Sequence, residues 1–447
     1  MAKTMNLSLR NSSLRLLTLL NILARSGGTV RALQSIDHYY RIGWQLAMFI
    51  DYLSYIWGVR EGFEDVIAIH RRYNVIPVGY EKPISLIHLV NISPRSRRWL
   101  YSVIVELLYK LNLRRKVFLT RGFKPDVIIS FHEDLPYLYL ASELKNLYSA
   151  PAISFLQLPP FYGDKTRMRN IEEACLLHRR LLADSWFETA FKTILNFLTI
   201  KDPKEYTKDV NALLNSLDMV IAVSKATVID MQKVQRNIVY MDPGVSLDSN
   251  AMDIIGRVRA LNIPREDYIA FIGRSMDCEK GFAEALIAFK FLLKEFPSLK
   301  LLVTGVISPK FERGVYRFLK KYLGVDKSKV VFTGFVNRED LYKLIRRSRL
   351  ILYPSHEDSY SLAVSESLML ETPIIAYRIP ALEIYYGNIE DKGIWLVKEG
   401  DIEKLVGVAI KVLELERRKE LKVKFPRIRP IDDIMREEVE LINRVLK

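Results

Sequence analysis

Two acidic side chains stand eight residues apart in the stretch EDSYSLAVSESLMLETP, which spans residues 357–373. Small and polar residues separate Asp358 from Glu366, and an apolar run follows. If a helix begins near Ser361 or Leu362, its free backbone N–H groups and its dipole form an anion-binding site. A diphosphate bound there would have an acid on each side, and each acid could accept hydrogen bonds from ribose or sugar hydroxyls. The stretch therefore predicts a nucleotide-sugar site.

Positive charge suited to the same ligand follows another predicted strand. The segment GRSMDCEKGF places Gly273 and Arg274 directly after that strand and Lys280 at a helix start. Arg presents a planar fork of donors and Lys a mobile point charge, and both bind phosphate. Upstream, Gly27 and Gly28 in SGGTV would let the backbone approach a ligand closely, because glycine has no Cβ.

Alternating strand and helix patterns must position these residues. Apolar runs such as DYIAFIG, KLLVTG, LILYPS and PIIAYRI predict buried strands, and amphipathic segments such as NREDLYKLIRRS predict the helices between them. The N-terminal half shows the same alternation, with strands in KPDVIISFHEDLP and APAISFLQLPPF. Such units predict parallel sheets covered on both faces, and ligands bind these sheets beyond the carboxyl ends of the strands.

Pro and Gly in MDPGVSLD, after the predicted strand NIVYM, mark a hinge between two domains. We predict an N-terminal domain over residues 1–249 and a C-terminal domain over 250–447, whose last helix could pack back on the first domain. Helices within 164–210 do not fit the alternation and are interpreted as an insertion. The predicted fold class is α/β, with two Rossmann-like, doubly wound domains facing each other across a cleft.

Composition limits the kinds of partner. The chain has 447 residues, and 67 basic against 52 acidic side chains give a formal charge of +15. This excess favours phosphorylated small molecules, an anionic membrane or nucleic acid. The two cysteines, Cys175 and Cys278, fit no metal-ligand spacing and are expected to form no disulfide framework. Together with the lack of a visible signal peptide, they predict a cytoplasmic protein.

An apolar segment with basic ends occupies residues 95–121, RSRRWLYSVIVELLYKLNLRRKVFLTR. No apolar window in the sequence reaches the roughly 20 residues that a membrane-spanning helix needs. One interpretation of 95–121 is a helix that lies on an anionic membrane surface. The other is a helix packed in the core with solvated basic ends.

The C-terminal half resembles the family 4 glycosyltransferases, which are retaining enzymes with the two-domain fold called GT-B. Their motif is an acid, seven residues and a Glu, followed by Gly-Thr-Pro, and here it becomes DSYSLAVSE followed by ETP. The resemblance extends to FIGRSMDCEKGF, VVFTGFV, DPGV and DIEKLVGVAIKVLE, and it spans most of residues 215–415.

The resemblance implies a role for each matching residue. Arg274 and Lys280 would bind the donor diphosphate and stabilise charge on the leaving group. Glu366 would hold the ribose hydroxyls, Asp358 would contact the transferred sugar, and the backbone at the helix start would contact the phosphates. Fixed cations and a helix terminus would do the electrostatic work of a metal, so no metal cofactor is expected.

In the N-terminal half, Gly27 and Gly28 would form the family's glycine loop, which approaches the donor from across the cleft. The family commonly has a His after the strand where this chain has Gln157. Gln can hydrogen-bond a sugar but cannot transfer a proton at neutral pH. His132, at the end of the preceding predicted strand, is the alternative for the acceptor site.

The resemblance thus implies a retaining, metal-independent hexosyltransferase of glycan biosynthesis. Its donor would be a UDP-, GDP- or ADP-sugar, its acceptor a glycan or polyprenyl-linked sugar, and its location the cytoplasm or the inner face of the membrane. Two alternatives stay open: a sugar-nucleotide epimerase of the same fold, and a non-catalytic nucleotide-sugar-binding subunit. The second is suggested by Gln157 and by Ser359 and Ser361, which replace the family's glycines. A nucleic-acid partner would not explain the ordered loops and is not expected.

Overall fold

Strands and helices alternate along the chain. The computed structural model describes residues 14–20, 27–50, 76–80, 123–182, 203–231, 237–273, 276–305 and 307–447. The described strands are β1 (Arg15–Leu20), β2 (Gln45–Ile50), β3 (Ile76–Tyr80), β4 (Val127–Ser130), β5 (Ala152–Leu156), β6 (Met219–Ala222), β7 (Ile238–Tyr240), β8 (Tyr268–Ile272), β9 (Lys300–Thr304), β10 (Val330–Gly334), β11 (Leu350–Tyr353), β12 (Ile374–Tyr377) and β13 (Ile394–Val397).

The described helices are α1 (Gly27–Arg41), α2 (Leu135–Tyr148), α3 (Lys165–Leu182), α4 (Pro203–Ser216), α5 (Ala226–Ile229), α6 (Ser249–Ala260), α7 (Phe282–Glu295), α8 (Pro309–Phe318), α9 (Arg338–Arg347), α10 (Leu362–Met369), α11 (Pro380–Tyr386), α12 (Ile402–Arg417) and α13 (Ile431–Val445). Short 3-10 turns cover Cys278–Lys280, Lys327–Lys329 and Gly387–Ile389, and a π turn covers Leu319–Leu323.

The strands form two sheets. The first is seven-stranded, with the order β3-β2-β1-β4-β5-β6-β7, and the second is six-stranded, with the order β10-β9-β8-β11-β12-β13. Neighbouring strands are parallel throughout the second sheet and from β3 to β5 in the first. In the second sheet the order reverses between β8 and β11, which is the switch point where doubly wound sheets bind ligands. The predicted α/β, doubly wound fold class is confirmed.

The strands around this switch point are apolar and buried on both faces, as the sequence pattern predicts. Phe271, Leu352 and Ile375 are at most 2% exposed in β8, β11 and β12, and Phe282 and Phe289 on the buried face of α7 are fully buried. Parallel sheets with helices on both faces require such continuous apolar strands. The buried strands hold the loops at their carboxyl ends in fixed positions.

The chain folds into two compact units. The first comprises Met1–Phe155, Lys208–Val220 and Leu441–Lys447, and the second comprises Leu156–Thr207 and Ile221–Glu440. The second unit therefore includes α3, which lies in the segment that we interpreted as an insertion. Helix α3 packs against α7, α8 and the 278–280 turn. The end of the last helix, α13, belongs to the first unit.

A disulfide joins Cys175 of α3 to Cys278 of the 278–280 turn. Their Cα atoms are 4.7 Å apart, within the range that a disulfide spans. The sequence predicts no disulfide framework and does not predict this bond. They lie 103 positions apart, and the packing of α3 on the turn, which no sequence spacing reveals, brings them together.

Two parts of the sequence prediction lie outside the described residues. These are Arg274 and the segment 95–121, so the proposed membrane-surface helix stays a prediction. Within the described ranges, the helices lack the combination of length and apolar composition that would let one cross a membrane.

Candidate functional site

The predicted site residues of the C-terminal half lie beyond the carboxyl ends of β8 and β11. Gly273 follows β8 directly, Lys280 ends the 278–280 turn, and Asp358 lies in the loop between β11 and α10. Strands β8 and β11 are parallel neighbours, so both loops lie at the same edge of the sheet. The structure thus brings Lys280 and Asp358 together, as the sequence predicts.

A glycine fixes Lys280 against the loop after β11. Gly281 has a φ of +69°, and a Cβ at this position would lie 1.9 Å from the carbonyl oxygen of Pro354. Only a residue without a side chain fits that contact and adopts this dihedral without strain. Helix α7 consequently begins at Phe282, not at Lys280 as the sequence pattern predicts, because Gly281 interrupts the helical conformation.

Lys280 points its ammonium group at the backbone and the acid of the neighbouring loop. Its Nζ donates a hydrogen bond to the carbonyl oxygen of Glu357 at 2.8 Å and lies 3.6 Å from Oδ2 of Asp358. Burial lowers the pKa of Lys280, but the nearby negative charges, Asp358 above all, outweigh burial and raise it. The ammonium is therefore charged at neutral pH. Since 32% of the side chain stays exposed, a ligand can reach it.

The carboxylate of Asp358 is occupied by the protein itself. Its Oδ1 accepts hydrogen bonds from the backbone N–H groups of Ser359 and Ser361, at 2.9 and 3.0 Å. Its Oδ2 accepts one from the hydroxyl of Tyr353 at 2.5 Å and faces Lys280. A carboxylate offers about four acceptor positions, and these three hydrogen bonds use three of them. Asp358 orders the loop and orients Lys280.

Helix α10 begins at Leu362 with Ser361 as its N-cap, as predicted. The Ser361 hydroxyl accepts a hydrogen bond from the N–H of Val364 at 3.3 Å and donates one to the Tyr353 hydroxyl at 2.9 Å. The N–H groups of Leu362 and Ala363 are then the first-turn donors left for a ligand. Because they lie at the positive end of the helix dipole, they suit an anion.

Glu366, one turn inside α10, is oriented by the neighbouring helix α9. The hydroxyl of Tyr342 donates to Oε1 of Glu366 at 2.7 Å. Burial and the charge of Glu366 raise the pKa of Tyr342, so this hydroxyl stays a donor. On the same helix, Arg338 forms an ion pair with Asp248 at 3.0 Å and adds positive charge nearby. A half-buried, oriented carboxylate of this kind can accept hydrogen bonds from a vicinal diol.

A buried histidine, His356, anchors the loop between β11 and α10 to neighbouring elements. The ring of His356 is fully buried, with Nε2 2.7 Å from Oε2 of Glu284 and Nδ1 2.8 Å from Oε1 of Glu399. Burial lowers the pKa of His356, but the hydrogen bonds to both carboxylates outweigh burial and raise it to about 9. Arg167 of α3 donates to the carbonyl oxygen of His356 at 2.7 Å. The residue next to the two acids is thus held by α3, α7 and Glu399.

The predicted site residues of the N-terminal half are placed on separate elements. Gly27 and Gly28 form the first turn of α1, and their approach to the donor stays a prediction. Burial of the apolar face of α1 outweighs the low helix propensity of glycine. His132 follows β4, is 9% exposed, and its ring lies 5.2 Å from that of Tyr137. Gln157 follows β5 directly and is 6% exposed.

Sequence reasoning missed two tyrosines that hold the acids of the β11–α10 loop. Tyr353 is the last residue of β11, and its place at the carboxyl end of a central strand was the available signal. Tyr162 donates a hydrogen bond to Oε1 of Glu357 at 2.5 Å. Nothing in the sequence links Tyr162 to Glu357, because the two residues lie 195 positions apart.

The part of the chain that contains this site is similar to known glycosyltransferases. Residues 257–425 match the family model described as glycosyl transferases group 1. The D-inositol 3-phosphate glycosyltransferase of Corynebacterium efficiens is 32% identical over 130 residues, which are 28% of this chain and 30% of that protein. A protein of the same name from a Mycobacterium species is 30% identical over 149 residues, 32% of each chain. These matches span about a third of the length of the curated relatives.

Two solved structures match nearly the whole chain. Alr3699/HepE from Anabaena, crystallised in complex with UDP, is 13% identical and has a TM-score of 0.58, over 96% of this chain and 100% of that one. Sucrose-phosphate synthase from Thermosynechococcus elongatus is 12% identical and has a TM-score of 0.56, over 97% and 99% of the two chains. The fold is therefore GT-B. The match to the family model of the glycosyl transferases group 1 is confined to residues 257–425.

Proposed function

We propose that this protein is a retaining glycosyltransferase that transfers a hexosyl group from a nucleoside diphosphate sugar to a hydroxyl of a glycan or lipid-linked sugar. The observation that carries the proposal is the contact between Lys280 and the loop that opens α10. A charged ammonium with 32% of its side chain exposed lies there beside a helix start with first-turn N–H groups left for an anion. This combination fits a diphosphate.

The same groups suit the leaving group of the reaction. When the bond between the sugar and the diphosphate breaks, negative charge grows on the departing phosphate oxygen. Lys280 and the N–H groups of Leu362 and Ala363 are fixed in advance, so they stabilise that charge without reorganising. We infer that this fixed charge does the work that a metal ion does at other diphosphate sites, and that turnover persists in a chelator.

Glu366 suits the ribose of the donor. Its carboxylate is oriented by the Tyr342 hydroxyl and lies one helical turn beyond the proposed phosphate position. The complex of Alr3699/HepE with UDP-glucose supports a UDP-sugar as the donor. His132 and Gln157 are proposed as contacts of the acceptor sugar, and an acceptor on a lipid would place the enzyme at the inner face of the membrane.

A thermal-shift panel of UDP-, GDP- and ADP-sugars tests the donor site. One nucleotide sugar should raise the melting temperature of the wild type, and Lys280→Ala and Glu366→Ala should lose that rise. Transfer to polyprenyl-linked and free glycan acceptors is then followed by NMR, with and without EDTA. Retention requires that donor and product share one anomeric configuration. Conversion of the nucleotide sugar into its epimer without an acceptor would favour the epimerase, and donor binding without turnover would favour a binding subunit.

A further inference from the structure

One acid beside Lys280 has no part in the proposed reaction so far. Glu357 precedes Asp358, and its carbonyl oxygen accepts the hydrogen bond from Lys280 at 2.8 Å. Its Oε1 is held by the Tyr162 hydroxyl at 2.5 Å. Its Oε2 accepts no hydrogen bond from the described residues. Glu357 therefore has one carboxyl oxygen that the described protein does not use.

Asp358 has more contacts within the protein than Glu357 has. Its Oδ1 accepts two backbone hydrogen bonds, its Oδ2 accepts one from Tyr353 and lies 3.6 Å from Nζ of Lys280, and 14% of its side chain is exposed. A sugar hydroxyl on Oδ2 of Asp358 would compete with Tyr353 and Lys280 for the same oxygen, and displacing the buried Tyr353 hydroxyl would be unfavourable.

The position of Glu357 fits the sugar of the donor. The sugar is bonded to the phosphate farther from the nucleoside, and Lys280, the proposed phosphate ligand, touches the backbone of Glu357. Tyr162 keeps the carboxylate in one orientation, and its own ring is flanked by the guanidinium of Arg167, 5.4 Å from the ring centroid. A carboxylate held by such a supporting contact binds a ligand hydroxyl without losing further side-chain freedom.

We propose that Glu357, oriented by Tyr162, accepts the hydrogen bonds of the donor sugar's hydroxyls and so determines which sugar is bound, while Asp358 is a positioning residue for Lys280. This inference rests on the proposed function and deepens it. It assigns the contact with the sugar to the residue before the one that the family motif indicates. The sugar's contribution to donor affinity should then depend on Glu357, and the diphosphate's contribution should not.

Calorimetric titration of the full chain separates these contributions. The ligands are UDP and UDP-glucose, GDP and GDP-mannose, and ADP and ADP-glucose. Glu357→Gln keeps an acceptor for Tyr162 but replaces the second carboxyl oxygen by an amide NH2 group, so it should leave the affinity for the bound nucleoside diphosphate within about twofold. Its affinity for the matching nucleotide sugar should fall by about tenfold or more, since the oxygen that accepts the sugar hydroxyl is lost. Glu403→Gln, an exposed acid on α12, is the matched control and should change neither affinity.

Two further variants complete the test. Tyr162→Phe leaves the carboxylate in place without its orienting partner, so it should lower the affinity for the nucleotide sugar by a smaller factor than Glu357→Gln does. Asp358→Asn should weaken both ligands together through Lys280. If Glu357→Gln weakens both ligands equally, or neither, the assignment to Glu357 is overturned while the proposed function stands. If the wild type binds none of the six ligands, the proposed function is overturned and the inference with it.

Discussion

The Nζ atom of Lys280 lies 3.6 Å from Oδ2 of Asp358, and the two residues come from loops that follow different strands of the second sheet. The same Asp358 oxygen accepts the hydrogen bond from Tyr353, at the end of β11. One carboxylate therefore connects the last residue of a buried strand, the start of α10 and the cation proposed to bind phosphate. Changes in either loop should alter ligand binding through this contact.

Removal of the cation should abolish most of the diphosphate affinity. Lys280→Ala deletes one charge-assisted hydrogen bond, so the affinity for the stabilising nucleoside diphosphate should fall by about tenfold to a hundredfold. Calorimetric titration measures it. Lys294→Ala, which removes an exposed lysine from the last turn of α7, is the control and should bind like the wild type. Equal affinities in Lys280→Ala and Lys294→Ala would contradict the assignment of Lys280.

A methyl group at Gly281 should destabilise the second unit and displace Lys280. The added Cβ would lie 1.9 Å from the Pro354 carbonyl oxygen and would require a positive φ. Gly281→Ala should therefore lower the free energy of unfolding by about 2–4 kcal/mol, measured by urea denaturation. In Gly256→Ala the new Cβ meets nothing within 4 Å, inside helix α6. That control should gain about 0.5–1 kcal/mol, and a loss in both variants would contradict the steric argument.

The fold and the order of the site loops could be predicted from the sequence. Apolar runs such as LILY and IIAY form β11 and β12. The helix start expected near Ser361 or Leu362 is at Leu362 in the structure. These features are local, because they depend on side-chain periodicity and on capping within a few residues. The same local signals put Lys280 and Asp358 at carboxyl ends of neighbouring strands.

Contacts between distant segments could not be predicted. The disulfide between Cys175 and Cys278 and the bond from Tyr162 to Glu357 both require α3 and the segment before it to pack on the second sheet. The hydrogen bonds that the Asp358 carboxylate accepts from its own loop and from Tyr353 could not be predicted either. Sequence spacing shows where an acid lies along a loop, but not whether its oxygens point into the loop or toward a ligand.

Reduction of the disulfide should destabilise the protein, and a thiol reductant has no other disulfide to act on in this chain. The chain has two cysteines, and both are in the bond. A link between residues 103 positions apart restricts the unfolded chain, and its loss should lower the free energy of unfolding by about 2–5 kcal/mol. Dithiothreitol should thus lower the melting temperature of the wild type and leave that of the Cys175→Ser/Cys278→Ser variant unchanged. Two free thiols titrated in the unreduced protein would contradict the bond.

The stabilisation that His356 provides should disappear at alkaline pH. Its pKa is raised to about 9 in the folded protein, against an ordinary value of 6.5, because Glu284 and Glu399 accept its hydrogen bonds. A raised pKa in the folded state means that the stabilisation is fully present below pH 6.5 and is lost as the pH rises through 9. The difference in unfolding free energy between the wild type and His356→Gln should therefore shrink by about 3 kcal/mol between pH 6 and pH 10.

Urea denaturation at several pH values measures this difference, and a second histidine provides the control. Burial lowers the pKa of His178, so His178 is neutral in the folded protein above pH 7 and does not titrate in the alkaline range. The stability difference between the wild type and His178→Gln should consequently stay constant from pH 7 to pH 10. If the His356→Gln difference is equally constant over that range, His356 is not held as an imidazolium between its two carboxylates, and the loop before Asp358 is supported by Arg167 and neutral hydrogen bonds alone.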